Sequence, residues 1–475
     1  MLTGVQGLAV RGTRSRSRTA VHVDTDDLRL TRWGCALARY EDEGWLLTLP
    51  AGDDTGPQLV ARELRFAPSG RDVPEEAADL LTALTRGARL RPVLRARIEE
   101  VTSTVAQRSA GAAAQVRDSR VVAFAGRRIA GRFHDVEVIT RSKDTGARVV
   151  EALDRLLHGL GAEQSDGAPL LRRALAAAAV EPDVVVHRAT KHGSARDAIQ
   201  RAIAASVLRL LMHDAAVRVG TDPEGVHQAR VATRRLRSDL RTFAPLLDEA
   251  WTRSVRDDLH RLADLLGAVR DAEVMRARLA AATARLPGSE RRAARRPLAS
   301  LTADRNRARA TLLREMRSET YTRLLDELVD AAAHPRTSDA AAGRASTLLP
   351  SLAQKPWRRL QARVRDLGPE PADSELHEVR ILAKRARYAA EAVAPVSRSA
   401  VARFARAVAA VQDELGEHHD AVVAEAWLRE SASRGSDAMV MGELIGAERA
   451  AAAAARAAWP ALWADAVEAR PKGWA

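Results

Sequence analysis

Cysteine occurs once, at Cys35, which excludes an intramolecular disulfide framework and any metal site built from several thiolates. Aromatic residues are only 3% of the chain. Beyond residue 195 runs of β-branched residues vanish too, leaving little material for strands there. No apolar run approaches the length of a membrane span, and the longest stretch of small residues, Ala450 to Ala455, is merely alanine. Arg11, Arg14, Arg16 and Arg18 are not followed by an apolar segment, so no secretory signal is visible and a cytoplasmic location is expected. Lysine is scarce as well: arginine supplies 70 of the 75 basic residues. The guanidinium fork suits phosphate oxygens, although genome composition produces the same bias.

Positive charge, by contrast, is abundant. The net charge is +13 and the isoelectric point about 10.8, a balance that favours a polyanionic partner. Residues 1 to 185 hold 27 Arg/Lys against 25 Asp/Glu, and residues 186 to 475 hold 48 against 37. The excess therefore lies almost entirely in the later part. At 475 residues with 46% hydrophobic content, two or three domains with real cores are expected.

Residues 1–180 read as mixed β and α. "AVHVD" (20–24), "GWLLTL" (44–49), "VARELRF" (60–66) and "FHDVEVI" (133–139) have strand composition, while 75–86 and 146–160 have helical apolar spacing. Residues 181–194 read as a linker. From 195 to 470 the pattern is all-α, with long amphipathic segments at 195–219, 224–247, 251–285, 290–333, 344–366, 373–394, 397–434 and 438–468. Turn chemistry separates them at "GTDPEG" (220–225), "LPGS" (286–289), "HPRTSD" (334–339), "GPEPAD" (368–373) and "SRGSD" (433–437).

This second part repeats itself. "HQARVATRRLR" (227–237) and "HEVRILAKRAR" (377–387) share a histidine followed by basic residues at the same offsets. "DLLGAVRDAEV" (264–274) aligns with "DELGEHHDAVV" (413–423) at nearly the same separation. Two anchors with almost one offset indicate duplication of a helical bundle, about 195–335 and 344–470. On a helix, His227, Arg230, Arg234, Arg237 and Arg241 fall within about 80° of arc, with Val231, Ala232, Leu236, Leu240 and Phe243 turned away. His377, Arg380, Lys384 and Arg387 reproduce the stripe, Arg235 and Arg385 lie off it, and Glu391 replaces the fifth cation. Stacked like charges cost helix stability, so neighbouring acids or an anionic ligand should supply the counter-charge. Asp271 and Asp420 are expected to orient basic side chains rather than bind metal, with His418 or His419 facing the anion.

"VHQARVATRRLRSDLRTF" and "LHEVRILAKRARYAAEA" resemble the two signature helices of the CHAD domain, the conserved histidine α-helical domain. The resemblance implies two pseudo-symmetric helical bundles enclosing a basic groove for inorganic polyphosphate. It assigns His227, Arg230, Arg234, Arg235 and Arg237 to a first ligand set, with Arg241 extending the stripe. His377, Arg380, Lys384, Arg385 and Arg387 form the second set, with His418 as a further histidine. Ile381 stands where a basic residue is common.

"VHVDTDDLRLTRWGCALAR", "GWLLTLP", "ARELRF" and "DVEV" resemble segments of the CYTH or triphosphate-tunnel domain, an antiparallel β-barrel holding triphosphate between cations and acid-bound divalent metal. The family's opening E-x-E-x-K strand has no counterpart in "MLTGVQGLAVRG", where no strand is expected; a start placed too far downstream would also account for it. Thr48 replaces a phosphate-binding lysine and Ala38 an arginine. Arg39, Glu63, Arg65, Arg95, Asp135 and Glu137 remain to line a cavity. Without half its metal carboxylates the site loses charge neutralisation and orientation of water. An incomplete, inactive barrel is expected, with Mg2+ or Mn2+ relevant only if activity persists.

The expected function is polyphosphate binding without a required cofactor, in the cytoplasm and at polyphosphate granules, with no membrane partner. A metal-dependent triphosphatase that uses the helical part as a tether is the alternative. Nucleic-acid binding comes third, because base recognition uses amides or aromatics, which the stripes lack apart from Gln228 and Tyr388 beside them.

Overall fold

A computed structural model describes residues 8–50, 62–67, 70–107, 112–140, 143–165, 170–175, 181–188, 193–397, 399–433 and 437–474. The chain forms two compact units, Met1–Asp183 and Val184–Ala475.

The first unit runs β1 (Leu8–Asp24), α1 (Arg29–Arg32), β2 (Ala36–Tyr40), β3 (Gly44–Leu49), β4 (Arg62–Phe66), α2 (Glu75–Leu80) and α3 (Thr82–Thr85). It continues through β5 (Arg91–Gln107), β6 (Ala112–Ala125), β7 (Arg128–Thr140), α4 (Lys143–Gly159) and α5 (Leu170–Ala174). The strands form one antiparallel sheet in the order β4-β3-β2-β1-β5-β6-β7. Among the described residues no ladder joins β4 to β7.

Of the segment expected to lack a strand, residues 1–7 lie outside the described residues and residues 8–12 begin β1, which pairs with β5 from Leu8↔Gln107 to Asp24↔Arg91. Its central "RSRSRT" is polar at every position, so no alternation marks a buried face. Backbone pairing carries it, aided by Arg18, whose guanidinium donates to Glu100 at 2.7 Å, and by Arg16, 2.6 Å from Glu43. The strand is present, but its only acid is the terminal Asp24 and it has no lysine.

The second unit is helical. Its helices are α6 (Ala195–Val219), α7 (Pro223–Thr242), α8 (Glu249–Thr283), α9 (Gly288–Ala293), α10 (Arg295–Met316), α11 (Glu319–Ala333), α12 (Ala345–Arg365), α13 (Asp373–Val393), α14 (Ser399–Ser433) and α15 (Ala438–Glu468). The expected segment 290–333 is three helices. Ser318 stops the run, its hydroxyl accepting the Tyr321 N–H at 3.1 Å as an N-cap. The expected turn at 433–437 lies largely outside the described residues.

Duplication extends to detail. α8 and α14 each have 35 residues. Short 3₁₀ turns follow α7 at Ala244–Leu246 and α13 at Ala394–Val396. Isolated pairing of Ser194 with Arg344 joins the residues that begin the two copies. Val226, Ala229, Thr233, Leu236 and Leu240 are buried on α7 and Phe243 at its C-cap, and Leu376, Val379, Ala383, Ala386, Ala390 and Val393 occupy the same places on α13. Val231, expected among the core residues, is half-buried at the edge of that face.

Candidate anion-binding site

α7 begins with Pro223, whose missing N–H costs nothing at a helix start, behind Asp222, whose carboxylate accepts the Glu224 N–H at 2.9 Å. On α13 the Glu375 carboxylate reaches back to the Ala372 N–H at 2.9 Å and is held by Arg363 at 3.0 Å. With their apolar faces buried, both helices present their basic stripes to common surroundings. The electrostatic neighbours of Lys384 are Arg380 on its own helix and Arg234 and Arg230 on α7, with Asp271 the only acid among them. Burial first, and then those guanidinium groups, draw the Lys384 ammonium down to about 8. Burial also lowers Arg234, with Arg230, Arg387 and Arg380 adding to the effect. Residues 150 positions apart thus converge into one cationic cluster.

Two glycines make room for it. An ideal Cβ on Gly267 of α8 would lie 3.9 Å from Arg230 Nε, and one on Gly416 of α14 would lie 3.6 Å from Arg380 Nε. A side chain larger than alanine would displace either guanidinium. These are the glycines of the second repeated motif, so the two motifs of each copy meet at the same arginine. Arg230 also donates to Asp271 at 3.4 Å, as the sequence led us to expect. Asp420, its counterpart, is raised by burial and opposed chiefly by Arg380.

The histidines sort differently from expectation. His418 is 2% exposed and turns to Asp373, at 3.2 Å, rather than to the cluster. The histidine beside the cluster is His419, whose ring lies 4.2 Å from that of His377. Adjacent residues on a helix differ by about 100°, so the two rings meet α13 about a turn apart, His418 at its first residue, Asp373, and His419 at His377. Burial, then His377 and Arg380, lower His419 to about 4. His227 and His377 are lowered too, mainly by burial. Arg270, the counterpart of His419, is the largest charged neighbour of His227; comparing the two aligned motifs position by position would have singled it out.

The off-stripe and terminal residues do not all join this cluster. Arg235 contacts Glu391 and lies 3.4 Å from Asp239, while Arg387 donates to Glu391 at 2.8 Å. Glu391 therefore bridges the two. Arg237 is influenced by Asp264 and Arg256, and Arg241 by Arg256, Arg385 and Arg237. Tyr388, buried, carries Arg234, Arg235 and Arg387 at 5.2, 5.8 and 5.6 Å from its ring centroid.

In the sheet unit, strand register divides the expected cavity residues. Glu63, Arg65, Asp135 and Glu137 share the face that carries His22 and Glu100, whereas Arg39 and Arg95 pair across Val21 on the opposite face. The shared face is occupied. Leu170 and Leu171 of α5 pack over it with Phe133, and Arg173 binds Asp135 at 2.8 Å. Arg117 binds Glu137 at 2.7 Å, and Arg65 lies 3.7 Å from Glu63. Among the described residues no three His, Cys, Asp or Glu side chains group as metal ligands.

Comparison with known proteins agrees with the helical reading. The CHAD domain family model matches residues 201–429. An uncharacterized protein of Mycobacterium tuberculosis, Rv2226, is 29% identical over 460 residues, covering 90% of this chain and 85% of its own. PptA from Streptomyces chartreusis superposes with a TM-score of 0.49 at 26% identity, over 57% of this chain and 99% of its own. The CHAD domain from the plant Ricinus communis gives 0.48 at 26%, over 60% and 95%. The family-model match identifies a CHAD domain within the helical unit, at residues 201–429.

Proposed function

We propose that the chain binds inorganic polyphosphate in a basic groove between its two helical repeats, with Arg230, Arg234, Arg380 and Lys384 as the central phosphate ligands. His227, His377 and His419 act as neutral imidazole donors at its margin. The observation that carries this reading is a cluster of four cations from two repeats, with Asp271 and the partly buried Asp420 as the nearby acids. In and beside it Arg234 Nε, Arg380 Nε and His377 Nδ1 are buried without a hydrogen-bond partner among the described residues. Buried donors are nearly always paired, and phosphate oxygens would pair these. A chain of bare phosphates asks for cations and N–H donors and nothing else. Nucleic acid would also use rings, but Tyr388 is buried beneath three arginines.

In this reading the sheet unit is no triphosphatase. Asp135 and Glu137 are each held by an arginine, which spends the negative charge a divalent metal would need. Binding needs no cofactor, and localisation at polyphosphate granules would follow from affinity for their contents.

Competition tests the function. Polyphosphate should displace duplex DNA from the protein at equal phosphate concentration, with affinity falling steeply in salt as counterions are released. Arg234→Glu and Lys384→Glu should each weaken binding, and the double variant should be weaker than either with helicity retained. Preferential retention of DNA, or an unchanged Kd in a folded double variant, would refute the proposal.

A further inference from the structure

The internal repeat permits a comparison of the two flanks of the central cluster. At the 150-residue offset Arg235 corresponds to Arg385, Asp239 to Ala389 and Glu391 to Arg241. On one flank Arg235 is matched by Glu391 and Asp239. On the other, both acids are gone: alanine stands in place of the aspartate and arginine in place of the glutamate. Arg256 on α8 adds a further cation, where the aligned position on α14 is the buried Ala405. Arg241 thereby has Arg256, Arg385 and Arg237 as its charged neighbours, and the acid beside Arg237 is the exposed Asp264, which already contacts His260 at 3.1 Å. Among the described residues none of these four arginines forms an ion pair. Arg241 and Arg385 are exposed, and Arg237 and Arg256 half-exposed. Like charges so placed repel unless an anion intervenes.

We propose that this flank is an outer phosphate site, over which a polyphosphate chain leaves the central cluster in one direction only. The proposal rests on the function inferred above and adds to it a polarity that the duplicated fold alone would not have. Along α7, Arg241 lies about 10 Å beyond Arg234, at about 1.5 Å per residue. A long chain therefore reaches the outer site from the centre, while tripolyphosphate seated at the centre leaves it empty. The opposite flank offers no such exit, because Arg235 and Arg387 are already engaged there by Glu391 and Asp239.

The test is the affinity of the full-length protein for long-chain polyphosphate and for tripolyphosphate, in wild type, Arg241→Glu, Arg256→Ala and Arg380→Ala. Arg241→Glu installs on this flank the acid of the other, so it should pair with Arg385 and raise the Tm. It should also weaken long-chain binding roughly tenfold or more, the worth of a lost charge-assisted contact, with tripolyphosphate affinity changed less than twofold. Arg256→Ala should weaken long-chain binding in the same selective way without introducing an acid, and so stands if Arg241→Glu folds poorly. Arg380→Ala should weaken both ligands. Equal losses for both ligands in the two flank variants, or no loss for either, would overturn the outer site. Failure of the wild type to bind either ligand would overturn the underlying function instead.

Discussion

Between about pH 7 and about pH 9.5, polyphosphate should loosen its hold while the ligand-free protein grows more stable, and Lys384 is responsible for both. Its ammonium titrates at about 8 in the folded chain, against an ordinary 10.5, because it is buried beside Arg380, Arg234 and Arg230. Phosphate oxygens placed among these cations favour the charged form, so the bound state keeps its proton to higher pH. The binding contribution is then fully present below about 8 and is lost as pH rises through it. One unit above, only about a tenth of free molecules carry the charge, which corresponds to roughly tenfold weaker binding. Stability moves the other way: between about 8 and 10.5 the unfolded chain binds more protons than the folded one, so unfolding becomes harder as pH increases. Calorimetric Kd values and ligand-free Tm values at stepped pH and constant ionic strength measure the two limbs. Lys384→Arg, which stays charged throughout, should remove the decline in affinity across the window. A flat affinity in the wild type, or an equal decline in Lys384→Arg, would refute the reasoning.

On the acid side, the depressed histidines are neutral at pH 7, so affinity should strengthen only below about 6.5. His227→Gln with His377→Gln should flatten that limb and leave the alkaline limb intact in the same Kd series. Gly416→Leu should weaken polyphosphate binding by displacing Arg380, with circular dichroism showing the helices retained. Asp214, buried, accepts from Arg218 at 2.7 Å and from the Tyr321 hydroxyl at 2.6 Å. Asp214→Ala removes both of these buried contacts at once and should cost about 3–5 kcal/mol in denaturant unfolding. Tripolyphosphate with magnesium or manganese should release no phosphate beyond the level seen in Glu137→Ala; release that needs both metal and Glu137 would restore the enzyme reading.

The helical unit was legible because its core positions and its charges follow one helical period, twice. Leu236 and Ala386, or Arg230 and Arg380, can be paired on the page before any fold is known. The period assigns each residue to a face but says nothing of what lies opposite, so Arg237 and Arg241 were grouped with Arg230 although Arg256 and Arg385 surround them. The same limit explains His418 and His419, which only packing against Asp373 and His377 separates. The sheet unit was harder. β1 hides in a stretch with two polar faces. β5 does alternate, with buried Leu94, Ala96 and Ile98 between exposed Arg95, Arg97 and Glu99, but short alanines and long arginines blur the signal that larger apolar residues would have given. Which side of the sheet Arg39 faces depends on its register with Val21, and no local pattern carries that.

Tyr388 has a use that follows from its position. The whole chain has three tyrosines. Tyr321 is locked against Asp214, and Tyr40 lies under Arg18, 4.7 Å from the ring centroid. Tyr388 alone lies beneath guanidinium groups of both repeats, Arg234 and Arg235 from one and Arg387 from the other. A fluorine label introduced at tyrosine therefore gives a three-line spectrum in which one line senses the electric field at the centre of the duplicated bundle. Any anion that pulls Arg234 off the ring changes that field and moves the line, so the chain carries its own spectroscopic voltmeter for occupancy.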